Sequence, residues 1–265
     1  MASKNVAVAA ESSTALSVAS GFEAFAGHGM ENVKASDLLI PRLTILQDLS
    51  PQLKKTKAEF IEGAEVGSIC DVGTGEIFPE GVLFLPVFYR KDYLEWAPRS
   101  SGKGLVGVHP DEKILEQTTR NDKKQPILPN GNYIAETAQW FGLNLSAGRR
   151  KCFIPMTSTQ LKKSRKWMTL ATSERLKRGD GSEFTAPLFY RSYKLTTGAE
   201  SNGEGEWAGW NITRQLTLPE VCEAMGFDFS AVMQEASKFR EDLATGTAKA
   251  DNSDVEGTAA TEGAM

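Results

Sequence analysis

The segment from residue 149 to residue 178 has residue types and spacing that suit the binding of a phosphate backbone. It holds ten Lys or Arg residues and a single acid, Glu174, in a chain whose formal net charge is -4. A cationic stripe on one ordered element is the electrostatic footprint of a phosphate binder. The alternative is a solvated helix face without a binding role, which usually carries charges of both signs. The sequence leaves this alternative open. The cations predicted to neutralise phosphates are Arg149, Arg150, Lys151, Lys162, Lys163, Arg165 and Lys166.

Aromatic residues accompany these cations. Single-strand binders pair a cationic groove with exposed rings, because stacking is worth about 1–3 kcal/mol per base and every base offers a π-face. Most rings in a protein are core residues, so we expect about two thirds of these to be buried. Residues 189–193, read as a strand, place Phe189, Arg191 and Tyr193 on one face. The predicted contacts to bases are Trp167, Tyr190, Arg191 and Tyr193.

One long helix must present several of the cations. A capping-box pattern predicts its start near Thr157, and Gly179 is a plausible stop. On such a helix Lys162, Lys163 and Lys166 share a face through three- and four-residue spacing. Two shorter helices are predicted at 219–225, behind a proline at the first position, and at 229–244.

The rest of the ordered chain has the pattern of strands. Gly73-Thr74-Gly75 predicts a hairpin turn, and Pro86 inside the apolar run 81–90 predicts a bulge or an edge position. Several strands precede the long helix without βαβ alternation, which favours an α+β, β-rich fold with an antiparallel OB-like barrel or sandwich. The predicted strands span 66–72, 76–78, 81–90, 92–97, 104–109, 133–145, 151–155, 186–196 and 207–216, with a long loop at 110–132.

The two ends differ in composition from the middle. Residues 1–20 lack periodicity and predict a flexible arm, and residues 21–245 form the predicted single nucleic-acid-binding domain. Residues 246–265 hold small residues and scattered acids without an aromatic, so we predict a disordered acidic tail. Such a tail can occupy a basic groove or recruit replication or recombination proteins. It can also serve solubility alone.

Cysteine usage and hydropathy indicate the cellular compartment of the protein. Cys70, Cys152 and Cys222 lie far apart without a CxxC spacing, which predicts buried, reduced thiols rather than disulfides or a zinc site. No segment reaches the roughly 18 apolar residues of a membrane span, and the apolar run in the first 20 residues is too weak for a signal peptide. We therefore expect a cytoplasmic protein without a membrane partner.

Several strings in the sequence resemble a family of tailed-bacteriophage proteins. Its members are encoded with replication genes and, where labelled, are labelled single-stranded-DNA-binding. The resemblance covers about residues 38–215 and implies a replication or recombination role in the host cytoplasm, on an OB-like scaffold. The chain ends EGAM, unlike the acidic, Phe-closed tips of many bacterial single-strand binders. The strings are LLIPRLTILQDLSP (38–51), GAEVGSI (63–69), YLEWAPRSSGKGLVG (93–107), PILPNGNYIAET (126–137) and PMTSTQLKKSRKWMT (155–169).

Two other function classes remain as alternatives. Pro110-Asp111, followed by Asp122-Lys123-Lys124, imitates the PD…(D/E)xK pattern of Mg²⁺-dependent nucleases, in which two acids hold the metal and a lysine assists the attacking water. The histidines, His28 and His109, have no serine or cysteine motif beside them, so the sequence predicts no enzyme and no cofactor. A structural or assembly protein of the phage particle is the other alternative, with the basic helix meeting an acidic protein.

Overall fold

The computed structural model describes Phe25 and residues 28–34, 37–122, 124–203 and 205–252. The chain divides into two units, residues 1–38 and 39–265. In the first unit the described residues form short turns, with the ring of Phe25 edge-on to His28. The predicted arm, 1–20, and the last part of the predicted tail, 253–265, lie outside the described residues.

The described residues of the second unit form short and long strands and three α-helices. The strands are β1 (Leu39–Ile40), β2 (Leu43–Ile45), β3 (Ile69–Asp71), β4 (Glu76–Phe78), β5 (Val82–Trp96), β6 (Leu105–His109), β7 (Thr119–Arg120), β8 (Pro126–Ile127), β9 (Tyr133–Asn144), β10 (Arg150–Thr157), β11 (Arg175–Lys177), β12 (Glu183–Thr185), β13 (Arg191–Asn202), β14 (Gly205–Thr217) and β15 (Lys249–Ala250). The helices are α1 (Gln160–Thr172), α2 (Leu218–Met225) and α3 (Phe229–Ala244).

The main sheet is antiparallel and curls into a half-barrel. Its order is β14-β13-β5-β9-β8-β7, while β10 pairs with the second edge of β9 and β6 pairs with β5. The long β5–β9 ladder is the centre of this sheet, because every other strand joins it directly or through β13 or β8. The predicted β-rich α+β fold is confirmed at this level.

One face of the sheet packs against a small three-stranded sheet and α1. Strands β2, β3 and β4 form the small sheet. Phe84 and Trp140 of the main sheet, Ile69 of β3 and Trp167 of α1 are buried together in one hydrophobic cluster. This first core holds α1 in place.

The opposite face of the sheet packs against α2 and α3. Leu85 and Phe141 point to this side and share a second cluster with Val221 of α2 and Phe239 of α3. Because successive residues of a strand point to opposite faces, each long strand contributes to both clusters. The sheet therefore lies between two layers.

The predicted turn and bulge are both present. Residues 72–75 connect β3 to β4, and Gly75 has a φ of 73°. The β5–β9 register shifts between Pro86 and Phe88, which marks an irregularity at the proline. Gly142 lies opposite Pro86, where a Cβ would overlap the Leu85 carbonyl and the Phe84 ring.

The bounds of several elements differ from the sequence predictions. The strands predicted at 81–90 and 92–97 form one strand, β5. Helix α1 starts at Gln160 and ends at Thr172, well before Gly179. The predicted loop at 110–132 contains a 3-10 helix, Glu112–Gln117, and two short strands. The chain also stays in the fold past residue 245, because β15 pairs in parallel with β1 and buried Asn252 accepts a hydrogen bond from Gln139.

Candidate nucleic-acid interface

Helix α1 sorts its residues into a buried stripe and a charged face. Gln160, Ser164, Trp167 and Ala171 are buried, and their spacing of three and four residues is that of one helix face. The cations occupy other positions on the helix. Lys162, Arg165 and Lys166 are all exposed.

The exposed cations of α1 have little compensation from acids. Arg165 is 71% exposed, and its Nη2 lies 3.8 Å from Glu136 Oε1, a carboxylate that Lys91 also contacts at 2.8 Å. The hydrogen bond to Glu136 raises the pKa of Lys91. Among the described residues no ion pair engages Lys162 or Lys166. The outward face of α1 is therefore a small, solvated cationic surface.

Lys163 does not belong to that surface. Its ammonium group forms an ion pair with Glu200 of β13 and donates a 2.6 Å hydrogen bond to the carbonyl of Trp210 in β14. Glu200 also accepts a hydrogen bond from the Trp207 indole. The shared helix face predicted for Lys162, Lys163 and Lys166 is thus divided, and Lys163 ties α1 to the edge of the sheet.

The cations at 149–151 point away from α1 in different directions. Arg150 donates to Asp71 at 3.0 Å and to Glu76 at 2.8 Å, at the β3–β4 turn. These hydrogen bonds, the one to Glu76 first, raise the pKa of Arg150. Lys151 lies on the opposite face of β10, with Nζ 5.2 Å from the centre of the Phe239 ring in α3.

Arg149 likewise belongs to the α3 side. Its guanidinium lies 3.3 Å from Glu235 and 5.0 Å from the centre of the Phe227 ring. The ten cations of 149–178 therefore do not form one continuous surface. Arg150 lies on the side of the β3–β4 turn and Arg149 and Lys151 lie on the α3 side, and only three of the four cations on α1 face outward.

Two of the predicted stacking residues lie in the core. Trp167 is 0% exposed and stacks on Trp140 with 4.0 Å between ring centres. Tyr193 is 1% exposed, edge-on to Trp167, and its burial raises its pKa. Neither ring offers a face to a base in this fold. The predicted stacking role of both residues is therefore wrong, and both rings pack in the core.

Tyr190 and Arg191 lie at the start of β13. Tyr190 is half-buried in a 3-10 turn, Leu188–Tyr190, rather than on the predicted strand. Arg191 binds the carboxylate of Glu174, and the Nε of Arg214 lies 3.3 Å from the same carboxylate. The single acid of the basic segment is thus held by two arginines of the sheet and does not neutralise α1.

A two-stranded ribbon follows α1, and the sequence patterns did not reveal it. Strands β11 and β12 form their own antiparallel sheet, in which none of the six residues is buried. Arg175, Lys177 and Arg178 of the ribbon are exposed. The Gly-Asp-Gly turn at residues 179–181 and the alternation on either side of it were the signals available in the sequence.

Of the residues in the nuclease alternative, Asp111 has a local structural role. Asp111 caps the 3-10 helix by accepting a hydrogen bond from the Lys113 amide. Asp122 and Lys124 are exposed, and Lys123 lies outside the described residues. His109 instead meets Glu95 at 2.8 Å. Across the described chain, no group of three or more His, Cys, Asp or Glu side chains is arranged to hold a metal ion.

Comparison with known proteins gives one match. The profile of a family described as Pam3 phage gp34-like protein matches residues 10–249. No curated protein and no solved structure matches the chain. None of the helices among the described residues has the length and apolar character needed to cross a membrane.

Proposed function

The chain belongs to the Pam3 phage gp34-like protein family, and from this premise we propose that it is a non-catalytic single-stranded-DNA-binding protein. It would act in phage DNA replication or recombination, in the cytoplasm of the infected bacterium. The observation that carries this proposal is the outward face of α1, where Lys162, Arg165 and Lys166 are exposed on a helix fixed to the sheet by Trp167.

The chemistry of this face favours a polyanion. Three solvated cations within five residues of one rigid helix present a repeating charge without the conformational cost of ordering a loop. Phosphates on a single strand can follow such a stripe, and each contact releases condensed counterions. The OB-like scaffold stays part of this proposal, with the curled antiparallel sheet as its support.

The proposal predicts that Lys162→Gln together with Lys166→Gln weakens binding of oligo-dT. Loss of two phosphate contacts lowers affinity by about an order of magnitude at 0.1 M salt and reduces the salt slope by about 1.4. The loss should be alike for oligonucleotides of different sequence, because phosphate contacts carry no base information. Fluorescence anisotropy of a labelled oligonucleotide at several salt concentrations measures both quantities. Lys163 is left unchanged, since its loss would disturb the fold.

A matched control removes two cations from the opposite layer. Lys238 and Arg240 lie exposed on α3, so Lys238→Gln with Arg240→Gln changes the net charge equally. This control should bind oligo-dT nearly as well as the parent. Equal losses in both variants would mean that the effect is one of net charge, and no loss in the α1 variant would place the site elsewhere.

A second reading of the α1 face is a docking site for an acidic partner in the phage particle. It differs from the first in one measurement. If the parent protein gives no anisotropy change with oligo-dT or duplex DNA, the proposed DNA-binding function is wrong. Salt-sensitive association with a capsid or tail protein would then support the assembly alternative.

A further inference from the structure

We propose that the β11–β12 ribbon is a stacking arm for single-stranded DNA, with Phe184 and Arg178 as the groups that receive a base. The inference rests on the proposed function and adds a binding element to it. The ribbon is a separate sheet of exposed and half-buried residues. It starts three residues after α1 ends, so it continues the chain directly from the cationic helix.

The ribbon has two chemically different faces. Leu176 pairs with Phe184 in register, so these two apolar side chains share one face. Arg178 joins that face, with its guanidinium carbon 4.8 Å from the centre of the Phe184 ring. Arg175 and Lys177 belong to the other face by the alternation of a strand. A ring and a guanidinium plane together are the two groups on which unpaired bases stack.

The base of the ribbon is fixed to the main sheet. The Glu174 carbonyl accepts a hydrogen bond from the Ala186 amide across the two ends of the ribbon. The Glu174 side chain binds Arg191 and Arg214 of β13 and β14. At the tip, Asp180 accepts hydrogen bonds from the hydroxyl and the amide of Ser182, and these, the one from the hydroxyl first, lower the pKa of Asp180. Hydrogen bonds and ion pairs therefore fix the base of the ribbon, and hydrogen bonds fix its tip.

The tryptophans and Tyr193 of the main fold are poorly placed to stack on a base. Trp167 and Tyr193 are core residues, and Trp96, Trp140 and Trp210 are also buried. The remaining tryptophan, Trp207, is half-buried and donates its indole hydrogen to Glu200. A single strand that follows α1 through its phosphates therefore meets Phe184 as the first ring outside the core after the helix.

The test is the variant Phe184→Trp, which keeps an aromatic ring and adds a reporter. Four of the five native tryptophans are buried, so their emission should change little when DNA binds. We expect oligo-dT to quench the added indole in Phe184→Trp, with saturation at the same concentration as the anisotropy of a labelled oligonucleotide. The parent protein supplies the background emission. Phe184→Ala should bind roughly 5- to 150-fold more weakly, the range that one lost stack gives.

A matched reporter tests the specificity of the position. Tyr190 also lies beside an arginine, with the Arg191 guanidinium 5.8 Å from its ring centre, so Tyr190→Trp places an indole in a similar pair outside the ribbon. Quenching in Phe184→Trp and not in Tyr190→Trp supports the arm. The reverse pattern moves the base to the start of β13 and overturns the inference.

The remaining outcomes separate this inference from the proposed function. If anisotropy shows binding while the indole of Phe184→Trp is not quenched, the ribbon inference is wrong and the function stands. If anisotropy shows no binding in parent or variant, the function fails and the inference fails with it. If duplex DNA quenches the reporter as strongly as oligo-dT does, the ribbon contacts a duplex groove instead of single-strand bases. Equal urea midpoints of parent and variants exclude misfolding as the cause.

Discussion

At the scale of the residue, charge alone does not decide the role of a cation. Lys162 and Lys163 are neighbours in the sequence, yet one is solvated and the other binds Glu200 and a backbone carbonyl. The direction of each side chain follows from helix and strand geometry. Some acids that meet these cations are distant in the sequence, as Asp71 is from Arg150 at 79 positions, and no local pattern in the sequence could reveal them.

Trp167 gives a test of the same point for the aromatic residues. It contacts Phe84, Trp140 and Tyr193, so Trp167→Ala should lower the free energy of unfolding by about 3–5 kcal/mol. Trp167→Phe should cost less, because it keeps a ring and removes an indole N–H that has no hydrogen-bond partner among the described residues. Urea unfolding measures both. The folded Trp167→Phe protein should bind oligo-dT as the parent does, and weaker binding would return the residue to the interface.

At the scale of the element, the sequence predicts what depends on local pattern. The strands around Pro86, the β3–β4 turn and both C-terminal helices follow from periodicity, turn residues and caps, since these act over a few positions. The start of β13 does not, because Phe189 and Tyr190 alternate as a strand would but lie in or beside a 3-10 turn. The predicted face shared by Phe189, Arg191 and Tyr193 is therefore wrong.

The edge of β14 shows a long-range feature of the same kind. The buried side chain of Gln47 donates to the Ala208 carbonyl at 2.8 Å and accepts from the Ala208 amide at 3.0 Å. Gln160 accepts from the Trp210 amide, and Lys163 donates to its carbonyl. These side chains satisfy backbone groups that an edge strand would otherwise leave unpaired. Residues separated by 161 positions meet here, which a sequence pattern cannot predict.

Substitution of Gln47 measures the contribution of this edge. Gln47→Met keeps the length of the side chain but leaves the amide and the carbonyl of Ala208 without a partner. The expected loss in the free energy of unfolding is about 2–5 kcal/mol, the cost of two buried unpaired groups. Gln234→Met, at an exposed position of α3, should change stability by no more than about 0.5 kcal/mol. Equal stability of both variants in urea would show that Gln47 does not hold the edge.

At the scale of the whole molecule, the two layers on the sheet differ in charge. Helix α1 carries four cations and no acid, whereas α2 and α3 together carry five acids and two cations. A polyanion should therefore approach the α1 side, and the field of the opposite layer should orient the encounter. The formal net charge of -4 does not reveal this asymmetry, because it sums over segments that the fold places on opposite sides of the sheet.

The reactivity of the three cysteines can test both the packing of the two layers and the binding of DNA. Burial is the main cause that raises the pKa of Cys70 to about 11, and it also raises the pKa of Cys152 and Cys222. Because the thiolate is the reactive form, a disulfide reagent at neutral pH should modify the native protein slowly and the urea-unfolded protein at all three sites. Cys222 lies on α2 and should react before Cys152, which lies in the first core.

Saturating oligo-dT should then slow the modification of Cys152, because a ligand that binds the native state stabilises it against global opening. At 100 times the dissociation constant this stabilisation is about 2.7 kcal/mol, or about a hundredfold in rate. The Lys162→Gln, Lys166→Gln variant should lose most of this protection at the same oligonucleotide concentration, while the Lys238→Gln, Arg240→Gln control keeps it. Reaction of Cys152 in the native protein at the rate of an exposed thiol would contradict the packing of the first core. Equal protection in both variants would show that the α1 face does not contribute to oligonucleotide binding.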